Sequence, residues 1–124
     1  MNLSGFRPLL LIFSGLFGAS GVGLAAAAAH VTGASNLLAP ASSIALAHAP
    51  AVLVLYLAHD RVKTATLSGL VIALGALLFC ADLVLKQFTG NSLFPMAAPT
   101  GGIMMMVGWL LLALAAFFKK APSS

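Results

Sequence analysis

Asp82 is the residue of this chain most able to do chemistry. It stands near the end of TATLSGLVIALGALLFCADLVLK, Thr64 to Lys86, which holds no other charge until Lys86. A carboxylate inside an apolar run of membrane width is costly, so it turns towards protein or water and takes a partner. Lys86 is the first candidate, because Asp before Lys at i and i+4 shares one helix face in the favourable order, and the lysine stem can reach the headgroups. The pair can serve as a structural anchor, or as part of a proton or cation path if His48 joins it. His30, Cys80 and Met96 extend the set from which a metal or haem site would be built.

Spacing and depth argue against one such cluster. No His pair stands at i, i+4 and no HExxH occurs. Asp82 is 18 residues beyond Thr64, about 27 Å along a helix, while His48 lies about 15 Å deep, roughly 12 Å lower. A satisfied structural histidine and an ion pair therefore outweigh a metal or haem role, and no cofactor is expected. Met104, Met105 and Met106 suit Cu(I) by softness. Consecutive helical residues point about 100° apart, so packing and lipid contact explain them better. With two acids in the chain and no Ser–His–Asp order or phosphate loop, acid–base hydrolysis has little to work with. The chain reads as a non-enzyme.

The elements that must position these residues are apolar spans. Of 124 residues, 61% are hydrophobic and 6% charged, a balance no soluble domain of this size can cover. The net charge of +4 comes from basic residues at the ends of apolar runs, which are topology signals and not a nucleic-acid stripe. The lone Cys80 permits no intramolecular disulfide.

A single all-α domain over residues 1–124 is expected, an integral membrane four-helix bundle with helices near 8–29, 41–58, 64–86 and 100–118. Pro8 opens the first run and Ala25–Ala29 closes it. The competing reading of that run is a signal peptide, but the stretch from Pro8 to Ala29 has 22 residues, longer than an h-region of about 7–15. Gly15, Ala19, Gly23 and Ala27 recur every fourth position as a stripe for a neighbouring helix, and Gly101, Gly102 and Gly108 supply small positions in the fourth span. Residues 31–40, VTGASNLLAP, read as a connection. Pro50 predicts a kink beside His48. The short polar link His59–Lys63 makes spans two and three antiparallel neighbours. Trp109 is too deep for an interfacial belt and is expected to pack in the bundle, its indole N–H seeking a carbonyl. Arg7, Arg61, Lys63, Lys119 and Lys120 fall on one side and only Lys86 on the other, so the positive-inside rule places both ends in the cytoplasm.

These residues together resemble the domain of unknown function 423 family, small four-span proteins of bacterial inner membranes with relatives in mitochondria. GLFGASGVGLAAAAAH resembles its Gly/Ala-rich first helix ending in a histidine, here His30. IALAHAPAVLVLYL resembles its His-Ala-Leu-Ala-Leu signature, with His48 in the histidine's place and Pro50 where leucine is usual. GALLFCADLVLKQFTG resembles its Gly-(apolar)-Phe-Ser-Gly-Ser-Leu-Tyr stretch, and PTGGIMMMVGWLLLALAAF its Pro-x-Gly-Gly run leading to Gly-Trp. Cys80 and Asp82 replace the family's serines, Val84 its tyrosine, and alanines replace the aromatic of its first helix. The resemblance implies fold and membrane, and no activity.

The function expected first is structural or interactive, an accessory subunit or helix-packing partner of a larger inner-membrane complex, surrounded by lipid and by other subunits or copies of itself, with no nucleic acid. The alternatives are an oligomeric ion or small-solute transport component using His48, Asp82 and Lys86, and a metal- or haem-binding membrane protein.

Overall fold

The computed structural model describes residues 2–30 and 35–118, and the fold is all-α. Its helices are α1 (Arg7–His30), α2 (Ser35–Leu57), α3 (Ala65–Thr89) and α4 (Ala97–Leu114), with 3₁₀ turns at Ser4–Phe6 and Ala115–Phe117. All four helices are long and apolar enough to cross a membrane. Leucines and other large side chains such as Ile12, Leu16, Val54, Leu77, Ile103 and Leu110 face outward, while the core holds Ala41, Ala45, Ala73 and Ala76. The core also buries Leu10, Leu38 and Ile72, and the bulky outer surface with alanines along the seams suits a multi-pass membrane protein, in which lipid solvates the outer groups and close backbone approach holds the helices.

α1 packs along α2, α2 against α3, and α3 against α4, whereas α1 and α3 touch only sparsely. Hydroxyl and thiol donors reach across these seams to backbone carbonyls. Ser14 Oγ donates to Ala49 O at 2.8 Å, Ser42 Oγ to Gly21 O at 2.8 Å, Cys80 Sγ to Ala41 O at 3.3 Å and Thr64 Oγ1 to Leu111 O at 2.9 Å. In hydrocarbon such donors have no water to turn to, so each bond ties two helices.

Two helices start earlier than their sequences suggest. α2 begins at Ser35 and runs through Pro40 and Pro50 without a break, where residues 31–40 read as a connection. Pro40 removes one backbone bond close to the helix start, and the complete burial of Leu38 and Ala41 offsets that loss. Residues 31–34 of that connection lie outside the described residues. α4 begins at Ala97, three residues before the expected start at residue 100. At the other end of the α3–α4 loop, Gly90 adopts φ +79° and its N–H bonds Lys86 O at 2.9 Å, a left-handed cap that closes α3.

The α1 stripe faces away from the bundle. A Cβ on Gly15 or Gly23 would meet nothing within 4 Å, and Ala19 is exposed. The α1 contact face runs instead through Ser14, Phe17 and Gly21, where a Cβ on Gly21 would come within 2.7 Å of Leu46. Small residues occur all round α1, so spacing alone could not choose between faces. In α4, Gly101 and Gly108 do lie on the packed face and Gly102 does not, a Cβ there also meeting nothing within 4 Å. Met105 is buried and Met106 exposed, as their 100° separation requires.

Candidate functional site

Asp82 lies in the second half of α3 and is 2% exposed. Its two carboxylate oxygens accept from separate backbone groups: Oδ1 from the Leu93 N–H at 2.8 Å and Oδ2 from the Ala98 N–H at 3.2 Å. This arrangement supplies what α4 lacks. Its N-cap residue, Met96, sits at φ 67° and has no side chain able to accept a hydrogen bond from the first turn. The first-turn donors of α4 can be followed one by one. Ala97 N–H bonds Phe94 O at 3.1 Å, Ala98 N–H bonds Asp82, Pro99 has no N–H, and Thr100 N–H bonds Met96 O at 2.9 Å. A carboxylate at a helix N-terminus also meets the favourable end of the helix dipole. Asp82 is thus a cap provided by a neighbouring helix.

Lys86 takes no part in this. It is exposed in the last turn of α3, and no ion pair joins it to Asp82. The expected Asp–Lys anchor gives way to backbone donors because Asp82 points into the bundle, where the start of α4 already presents unsatisfied N–H groups.

His48 is 7% exposed in α2. Its Nδ1 lies 2.8 Å from Ile44 O, and Trp109 Nε1–H donates to its Nε2 at 3.1 Å. A carbonyl only accepts and an indole N–H only donates, so the two contacts together assign the proton to Nδ1. The rings meet edge-on at 5.7 Å between centroids. The Nε2 lone pair is thus turned to the indole N–H. Trp109 itself is 42% exposed, so it bridges α4 to α2 from the lipid-facing side instead of lying within the core, and its acceptor is an imidazole and not a carbonyl.

His30 ends α1 as an exposed residue in its last turn. The sequence-selected residues are therefore not brought together: Asp82 and His48 belong to separate hydrogen-bond sets, and His30 and Lys86 belong to neither. Among the described residues no three of His, Cys, Asp or Glu are grouped to hold a metal ion. The partners that sequence reasoning missed are Leu93, Ala98 and Trp109. The signal for the first two was present, because an α4 start without Ser, Thr, Asp or Asn at its cap needs an acceptor from elsewhere, and Asp82 is one of only two acids.

The family model described as "Protein of unknown function (DUF423)" matches residues 24–102. The chain belongs to this family. The matched segment takes in the end of α1, all of α2 and α3, and the first turn of α4, and so includes His48, Asp82 and both of Asp82's donors. Trp109 lies beyond it. No solved structure matches the chain.

Proposed function

We propose that this DUF423 protein is a non-enzymatic structural or interaction component of a larger membrane assembly, an accessory subunit in a bacterial inner membrane. One observation carries the reading. Of the buried polar side chains, His48, Asp82, Ser42 and Ser68 are engaged in bonds within the chain, as is Cys80, while the small-residue face of α1 at Gly15, Ala19 and Gly23 is left on the outside. Groups already bonded to neighbouring helices serve packing, and an outward face without bulk lets another helix approach closely. The basic residues Arg7, Arg61 and Lys63 at the end where α1 and α3 begin, against Lys86 at the other, support cytoplasmic termini. Activity of a C-terminal alkaline phosphatase fusion outside the membrane would overturn that orientation.

Gly23→Leu tests the interaction reading. Gly23 is exposed and a Cβ there meets nothing within 4 Å, so thermal stability in detergent should stay within about 0.5 kcal/mol of the wild type, as for a surface substitution. Recovery of co-purifying membrane subunits from mild detergent should fall, because the leucine fills the approach face. Undiminished recovery at unchanged stability would remove the α1 face from the proposal.

A further inference from the structure

A polar cavity of about 330 Å³ lies where the start of α1 meets the α2–α3 turn, lined by Ser4, Arg7, His59, Lys63, Thr66 and neighbouring residues. A second cavity, also about 330 Å³, adjoins it, shares Ser4, Arg7 and His59, and is walled by Pro8, Tyr56 and Leu57. Among the described residues no carboxylate lines either one. Of the two acids in the chain, Asp82 caps α4 at the opposite end of the bundle and Asp60 is exposed outside both linings. Arg7 Nε is fully buried and has no hydrogen-bond partner among the described residues. The start of α3 adds to the imbalance. Thr64 stands at the N-cap but forms no side-chain cap, its hydroxyl donating to Leu111 O and accepting from Ser68 Oγ, and no acid occupies the first turn. Thr66 and Leu67 of that turn border the cavity. Lys63 is steadied by the Phe118 ring, its Nζ 5.9 Å from the centroid.

From this we infer that the cavity binds a phosphate group, held by the Arg7 guanidinium and the Lys63 ammonium with the hydroxyls of Ser4 and Thr66 beside them. A guanidinium and an ammonium together match a phosphate's several acceptor oxygens and its charge. The site lies where the apolar spans α1 and α3 begin, the end at which a bilayer crossed by these helices would place its headgroups, and Leu3, Leu57 and Leu67 line the two cavities. A phospholipid headgroup and free phosphate share this chemistry.

The test is native mass spectrometry of the full chain in detergent, titrated with phosphatidylglycerol, with phosphatidylcholine of the same acyl chains, and with inorganic phosphate. One tight equivalent of phosphatidylglycerol is expected, preferred over phosphatidylcholine. Arg7→Gln and Lys63→Gln should each weaken it about fivefold, the scale of one cation against an anionic headgroup. Arg61→Gln, an exposed cation that lines neither cavity, should leave binding unchanged. Competition by inorganic phosphate that depends on Arg7 and Lys63 would show that the free anion is itself a ligand; binding of the lipid without such competition would assign the site to the headgroup. Circular dichroism monitors folding, and Arg7→Lys, which keeps the charge, stands in if Arg7→Gln unfolds. Equal binding of the two lipids, or a loss with Arg61→Gln as large as with Arg7→Gln, would overturn the site in favour of diffuse charge.

Discussion

Asp82→Ala should lower the unfolding free energy in detergent by about 3 kcal/mol, the scale expected when a buried carboxylate is withdrawn from two backbone donors. The substitution strands the Leu93 and Ala98 N–H groups together, so the α3–α4 loop and the first turn of α4 lose their common acceptor. Asp82→Asn should cost about 2 kcal/mol: its one oxygen can keep one donor, and its NH₂ is then directed at the other N–H. Lys86→Ala should cost less than about 0.5 kcal/mol, since an exposed lysine with no ion pair contributes little. Urea or SDS unfolding followed by circular dichroism measures all three. A Lys86→Ala loss matching that of Asp82→Ala would reinstate the Asp–Lys pair and contradict the cap.

Gly101→Ala should destabilise the protein by about 3 kcal/mol, and Gly102→Ala, one residue away, should be neutral or stabilise by up to about 1 kcal/mol. A Cβ on Gly101 would stand 2.6 Å from Gly75 O and 2.7 Å from Phe79 N. Both are backbone atoms that no rotamer change can move, so α3 and α4 would have to separate along their seam. Gly75→Ala meets Gly101 O at 2.7 Å from the other side and should behave as Gly101→Ala does. At Gly102 nothing lies within 4 Å, and alanine simply raises helix propensity. Equal effects at the two adjacent glycines would mean that α3 and α4 do not approach as closely as described.

Hydropathy made the four spans legible in the sequence, because membrane-length apolar runs have few other readings, and the short link His59–Lys63 made α2 and α3 legible as antiparallel neighbours. The facing of α1 was not legible. α1 is small on every side, and the choice of the Ser14, Phe17 and Gly21 face over Gly15, Ala19 and Gly23 depends on where α2 offers Leu46 and the Ala49 carbonyl. The partner of Asp82 was misread for a related reason. Helical spacing identified the nearest side chain on the same helix, Lys86, whereas the donors are backbone groups 11 and 16 residues away, brought in only when α4 folds back on α3. The deep placement of Trp109 followed from counting along α4, which says nothing of the side from which the ring approaches His48. That approach is made by the Trp109 side chain, which reaches from α4 to His48 on α2 while staying 42% exposed.

Polar groups that hold helices together behave differently from polar groups that conduct. Purified protein reconstituted into vesicles carrying an internal pH dye, with a proton gradient imposed across the membrane, separates the two. The structure predicts a proton leak no greater than that of protein-free vesicles, because both ring nitrogens of His48 and both oxygens of Asp82 are engaged in separate sets. A flux carried by the wild-type protein and lost in Lys86→Ala, a substitution that should leave the fold intact, would contradict it.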